Sequence, residues 1–449
     1  MNILSRQQRD IIIIGGGSQG IALALELAGR GYLVKILEMN EGPGMGSSLR
    51  SDFMPYGTGH SGVLFMPTDT LRVAYTDMMN AAIRNPDLLP TPSLQILLDN
   101  SVVVGKNLIA HTQEDVAKLK GLDNLAKQRP IYNIVEPQLL LEPTEIKALK
   151  ESLFESSGIG IPQGILRLPH VRIIHIANYV RDMARLAAKE GCEILYEHEV
   201  IGFTVGNGTS HRTGVVSKTK NGEKEHFADM VINLSGYHAS HITELANKTV
   251  EDYNATHTKN PGALGTVPTT YYWDYGLLVP NPGTPESTWR ADSLSYFAGV
   301  MHPQGTTLGL HAYIGPEEAE GRPIRLGTVR HAMDSRTDLL NSTALPSVPD
   351  VIAGEARKIL PGIHLENFTQ HRAGKVATYF YNGIRDIAPT VTAAFNAGFI
   401  GLHMFTGDTP GLCCSPLIAW EAAKKATALL DNLAIPTARK LWFPTFSPR

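Results

Sequence analysis

The chain has 449 residues, 43% hydrophobic and 18% charged, enough apolar material for the cores of about two or three domains of ordinary size. With 40 basic residues against 43 acidic ones the net charge is −3, which leaves no electrostatic footprint for nucleic acid or an anionic membrane surface. The 3 cysteines, two of them adjacent at Cys413-Cys414, exclude a disulfide framework and a zinc spacing, so no metal is expected and a reducing compartment fits.

Met1 to Asp10 is polar and runs straight into an apolar strand, leaving no room for a cleaved signal peptide. No apolar run reaches the length needed to span a bilayer, and the stretch from Val391 to Phe405 is interrupted by Asn396 and His403, so a cytoplasmic protein with no integral membrane segment is expected.

Ile11 to Ile14 is a β-branched run followed by the glycine-rich turn Gly15 to Gly20, an Ala/Leu helix stopped by Gly31, and a second apolar strand ending at Glu38. Gly15, Gly17 and Gly20 satisfy G-x-G-x-x-G, with Ser18 and Gln19 between the last two. The first glycine makes the strand-to-helix turn, the second admits a pyrophosphate to the backbone, and the third lets helix and strand pack closely. Glu38 stands about 20 residues on, where an acidic group meets a ribose hydroxyl and disfavours a 2′-phosphate. The motif itself leaves NAD and FAD open.

Residues 40 to 62 read as a loop carrying Arg50, Asp52 and His60. Helices are predicted over Thr70 to Arg84 and Ser93 to Thr112, then over a charged region from Glu114 to Glu151 broken by Pro130, Pro137 and Pro143. Helical spacing from Val171 to Glu190 ends at Gly191 before a strand at Glu193 to Tyr196. A hairpin turning at Asn221-Gly222 precedes a strand at Met230 to Asn233. Thr266 to Ile314, rich in Tyr, Trp, Pro and Gly, predicts a mostly antiparallel sheet in which Tyr271 to Tyr275 is a strand. A last helix is predicted from Pro416 to Leu433, with Cys413 and Cys414 as small packing residues before it.

The opening unit, the stretch Gly191 to Val200 and the strand Val231-Ile232-Asn233-Leu234-Ser235-Gly236 together resemble the D-amino-acid-oxidase-like superfamily of flavoproteins. Within it, Gly57-Thr58-Gly59-His60-Ser61-Gly62-Val63-Leu64, Leu308-Gly309-Leu310-His311 and Gly407-Asp408-Thr409-Pro410-Gly411 are similar to segments of the L-2-hydroxyglutarate dehydrogenase/oxidase and malate:quinone oxidoreductase families. The resemblance implies an α/β fold: a Rossmann-like FAD-binding domain from 1–90, 155–240 and 365–449, and an α+β substrate domain, with a mostly antiparallel sheet, from 91–154 and 241–364. It implies FAD, held by Gly15, Gly17, Ser18, Gln19, Gly20, Glu38, Ser61, Val200, Ser235, Gly236, Gly407, Thr409 and Gly411. His60 and His311 are the implied bases, with His403 as a third candidate.

The hydroxyglutarate enzymes place an arginine two residues after their Ala-Gly pair, whereas here the stretch reads Ala373-Gly374-Lys375-Val376; Lys375 or Arg372 can supply a cation, and the Lys375 point charge lacks the bidentate grip of a guanidinium. The implied reaction is oxidation of the α-carbon of a small 2-hydroxy acid, with electrons passed to oxygen or a quinone. The alternative is an amine or amino-acid oxidase, some of which attach flavin to a histidine in the region of His60. A third reading is a flavin-binding subunit without hydride chemistry of its own.

Overall fold

The computed structural model describes residues 9–45, 56–58, 70–129, 136–153, 161–205, 213–256, 269–279, 296–299, 311–314, 324–341, 348–357, 369–381, 384–386, 401–403 and 412–431. Asp10–Ile14 is buried on both faces, as a run of isoleucines requires of a central parallel strand. It is the middle of a five-stranded parallel sheet in the order Gly401–His403, Met230–Asn233, Asp10–Ile14, Leu33–Leu37, Glu193–Leu195.

Alternation divides the isoleucines between two cores. Ile11 and Ile13 pack with Ile21, Leu25, Val180, Met183 and Ile418 from helices Ser18–Ala28, Ile176–Lys189 and Ser415–Asp431. Alanines on the first and last of these helices, Ala22, Ala422, Ala423 and Ala426, are fully buried there and let the two helices approach closely. Ile12 and Ile14 pack on the other side with Val200, Val215 and Ala228 of a three-stranded antiparallel sheet and with Ile242, Ala246 and Val250 of helix Ala239–Thr256. The predicted hairpin is there as Thr213–Thr219 and Gly222–Ala228, and Gly222 takes φ +102° at the turn.

A nine-stranded sheet runs in the order Ile384–Asp386, Thr369–Tyr381, Thr269–Val279, Ile324–Met333, His311–Ile314, Tyr296–Gly299, Lys106–Ala110, Gly164–Leu168, Gln138–Leu140. Every pairing in it is antiparallel except that of Tyr296–Gly299 with Lys106–Ala110. Three stretches of chain, 106–168, 269–333 and 369–386, supply its strands.

Helix Thr70–Arg84 has its predicted bounds, but three helical predictions need correction. Ser93 to Thr112 is helical only as Pro92–Asp99, capped by Thr91 Oγ1 accepting from the Leu94 N–H; the chain continues as strands Ser101–Val103 and Lys106–Ala110. The run Val102-Val103-Val104 favours extended backbone, and Gly105, at φ +67°, turns the chain between the two strands. Within the charged region, Gln138–Leu140 is a strand, and Pro143 opens helix Pro143–Leu153 where its missing N–H costs nothing. Arg172–His175 is also a strand, and the helix starts only at Ile176, with His175 Nδ1 accepting from the Asn178 N–H at 3.2 Å. Among the described residues no helix is long and apolar enough to cross a membrane.

Candidate active site

The carboxyl ends of the parallel strands converge on the glycine turn, the place where open α/β sheets bind ligands. Gly15, at φ +109°, donates its N–H to Leu37 O at 2.9 Å, while the Leu234 N–H reaches Ile14 O at 2.8 Å. A Cβ on Gly15 would stand 2.5 Å from Leu234 O, and one on Gly20 only 2.0 Å from Gly15 O. These two glycines are therefore required by packing. Gly17 differs: it caps helix Ser18–Ala28 in extended backbone (φ −78°), nothing lies within 4 Å of where its Cβ would be, and no side chain caps the helix end. Ser18 and Gln19 belong to that first turn, whose N–H groups and dipole favour a phosphate.

Glu38 is buried and held at both carboxylate oxygens. Oε2 accepts the Gly16 N–H at 2.7 Å; Oε1 accepts the Asn40 N–H at 2.9 Å and the Asn40 side-chain amide. The next segment wraps beside it: the His198 N–H donates to Glu38 O at 2.9 Å and the Glu197 N–H to Asn40 O at 3.0 Å, with Glu197 at φ +57°. Burial and the nearby Glu38 carboxylate push the Tyr196 phenol above its ordinary pKa. Val200 follows at the start of the three-stranded sheet, its side chain buried against Ile12 and Ile14 and its backbone beside a bulge at Val200/Gly202.

Ser235 and Gly236 leave strand Met230–Asn233 next to Gly15. Asn233, 1% exposed, arranges them: its Oδ1 accepts Ser235 Oγ–H at 2.6 Å and the Ser235 N–H at 3.2 Å, and its Nδ2 donates to Ala239 O at 2.8 Å. Gly236 takes φ +58° with open space where a Cβ would be. Sequence reasoning passed over Asn233 and Asn40. The signal for Asn233 was a polar residue ending a strand otherwise made of Met, Val and Ile; Asn40 carried none.

His60, Ser61, Gly407, Thr409 and Gly411 lie outside the described residues. His403 ends the edge strand of the parallel sheet, opposite Asn233. His311 opens its strand opposite Gly327, which pairs in turn with Gly276, while Lys375 pairs with Trp273. Two strands lie between those of His311 and Lys375, a lateral separation of about 14 Å. Gly276 and Trp273 are three residues apart on one strand, so the rows of His311 and Lys375 belong to opposite faces of the sheet. Cys413 and Cys414 are buried in the core as packing residues, where the hydrogen bond with Cys413 and then burial hold the Cys414 thiol well above its ordinary pKa.

A Rossmann-type cradle joined to a large antiparallel sheet defines a dinucleotide-binding fold. The chain belongs to the FAD-dependent oxidoreductase (DAO) family, whose family model matches residues 10–425. Its fold is similar to L-α-glycerophosphate oxidase from Mycoplasma pneumoniae with FAD bound, at TM-score 0.68 and 17% identity over 95% of each chain. Glycine oxidase from Bacillus cereus follows at TM-score 0.64 and 15% identity over 95% of this chain and 98% of that one. L-proline dehydrogenase from P. horikoshii has TM-score 0.61 and 19% identity over 94% of each chain.

In sequence, 204 residues are 27% identical to the tRNA 5-methylaminomethyl-2-thiouridine biosynthesis bifunctional protein MnmC of Legionella pneumophila. That match takes in 45% of this chain but only 26% of the relative, so the chain spans about a quarter of that protein's length. The cofactor is FAD, and the cradle suits it: a helix end without a side-chain cap, open space at Gly17 and Gly236, and a clamped carboxylate at Glu38.

Proposed function

We propose that this flavoenzyme oxidises the α-carbon of a small 2-hydroxy acid and passes the electrons to oxygen or a quinone. The observation that carries the substrate class is the likeness of Gly57 to Leu64 and Leu308 to His311 to segments of enzymes acting on hydroxy dicarboxylic acids. FAD supplies the hydride acceptor; the protein has to orient the acid, take the hydroxyl proton and offset the carboxylate charge. Histidine, which titrates near neutrality, suits the proton step, so His60 and His311 are the proposed bases; Lys375 is the proposed cation in the arrangement that uses His60, because the rows of His311 and Lys375 occupy opposite faces of the large sheet. Gly15, Gly17, Ser18, Gln19, Gly20, Glu38, Val200, Ser235 and Gly236 are the proposed FAD contacts among the described residues.

Because the rows of His311 and Lys375 occupy opposite faces, a substrate bound on one face meets one of them. His311→Asn and Lys375→Met, assayed in parallel, are expected to differ: one lowers kcat/KM by about a hundredfold or more and the other leaves it within about threefold.

A second reading, oxidation at a carbon bearing nitrogen, is favoured by the partial likeness to a protein of 5-methylaminomethyl-2-thiouridine biosynthesis. Anaerobic mixing of the holoenzyme with panels of 2-hydroxy acids, amino acids and amines tests both. Flavin bleaching by hydroxy acids supports the first reading, and bleaching only by amino acids or amines replaces it with the second. An unchanged spectrum throughout removes both.

A further inference from the structure

Gly236–His238 forms a three-residue 3-10 turn that stands between the FAD cradle and the large sheet. On its inner side Asn233 holds Ser235, and Gly236 adopts φ +58°. On its outer side Arg336 Nη1 donates to His238 Nδ1 at 2.8 Å. A guanidinium has no lone pair to offer, so Nδ1 is the acceptor and the His238 imidazole is neutral with its proton on Nε2.

Arg336 opens helix Arg336–Asn341, which follows strand Ile324–Met333 and packs on it and on Thr269–Val279. Strand Thr369–Tyr381 rests against the same turn, and the Tyr237 ring lies 4.2 Å from that of His238. Arg336 also acts electrostatically on Tyr271, whose phenol is hydrogen-bonded to Ser240, and on His241. A glycine at positive φ does not hold a turn by its own preferences. Within the turn the His238 N–H donates to Ser235 O at 3.1 Å and Asn233 holds Ser235; Arg336 adds the tie to the large sheet.

We propose that Arg336 is a positioning residue for FAD: its hydrogen bond to His238 locks the Gly236–His238 turn against the large sheet and keeps Ser235 and Gly236 in the geometry that receives the cofactor. The inference rests on the reading of Ser235 and Gly236 as FAD contacts. It makes the substrate-side sheet a structural member of the cofactor site.

The test is a double-mutant cycle on the full-length protein, reading the FAD dissociation constant by titrating apoprotein and, separately, the apoprotein melting temperature. Arg336→Met and His238→Phe are each expected to weaken FAD at least about tenfold, the double variant no further than either single, with apoprotein melting within about 2 °C of wild type. His238→Asn, whose Oδ1 replaces Nδ1 as acceptor, is expected to stay within about threefold of wild type. An unchanged FAD constant in Arg336→Met overturns the proposal, and so do additive losses or losses matched by a fall in apoprotein melting. Gly236→Ala separates the two readings. Weakened FAD there with none in Arg336→Met leaves the contact and removes the arginine; unchanged FAD in Gly236→Ala removes the contact and the proposal with it.

Discussion

Gly20→Ala sets two effects of opposite sign against each other. Gly20 lies in the first turn of helix Ser18–Ala28, where alanine is worth about 1 kcal/mol more than glycine by helix propensity. Against this, the new methyl would stand 2.0 Å from Gly15 O, a backbone oxygen with no rotamer through which to retreat. Helix and strand would have to separate by more than 1 Å to restore ordinary contact, which opens the interface where Ile13 and Ile21 are buried. Overpacking costs about 1–3 kcal/mol, and a backbone oxygen that cannot retreat puts this substitution at the upper end, so destabilisation prevails by about 2 kcal/mol.

The control is Gly17→Ala, whose methyl meets nothing within 4 Å and whose backbone (φ −78°) any residue adopts. It costs the apoprotein at most about 1 kcal/mol as a lost helix-cap preference, but it fills the space through which a pyrophosphate reaches the backbone. Urea unfolding of both apoproteins, paired with FAD titration, is the assay. Gly20→Ala should shift the unfolding midpoint strongly, while Gly17→Ala should keep it and lose at least about tenfold in FAD affinity. A Gly20→Ala protein as stable as wild type would refute the packing argument, and normal FAD affinity in Gly17→Ala would refute the division of roles between the glycines.

Glu38→Gln removes the charge that accepts the Gly16 and Asn40 N–H groups and turns an amide NH2 toward one of them; FAD affinity should fall by about 10- to 100-fold, read by titration. Asp77 is buried enough that desolvation outweighs its partner Arg129 at 2.6 Å and lifts its pKa from 3.8 to about 6. Its folded-state pKa is the higher one, so its stabilising contribution is complete below pH 3.8 and is lost as pH rises to about 6; the size is on the order of 2–3 kcal/mol. Asp77→Asn should flatten the stability difference between pH 4.5 and 7.5 relative to wild type in urea titrations, and an unchanged difference would exclude this carboxyl as its source. Tyr179, fully buried, meets Ser415 Oγ at 2.9 Å where the last helix begins, and Ser415 itself donates to Leu412 O. Tyr179→Phe should cost about 1 kcal/mol with FAD affinity unchanged, because Ser415 keeps its own acceptor.

The parts of this protein written in its sequence are those whose partners are near in the chain. Four isoleucines, three spaced glycines and an acidic residue at the next strand end make a βαβ unit because each strand and turn is decided within a few residues. The hairpin at Asn221-Gly222 follows for the same reason. Where local patterns were ambiguous they misled: Lys106 to Ala110 and Arg172 to His175 carry apolar spacing that also fits a helix, and pairing makes them strands, the first with Gly164–Leu168 and Tyr296–Gly299, the second with Tyr56–Thr58 and Ser101–Val103.

Tertiary structure alone decided that the Glu38 carboxylate takes the Gly16 N–H across 22 positions of chain. It likewise decided that Arg336 reaches His238 across 98 positions of chain. It also set His311 and Lys375 on rows of opposite faces, although the family resemblance groups both at one site. A sheet's faces depend on register, and register is set by strands far apart in the chain, so no local pattern carries that information.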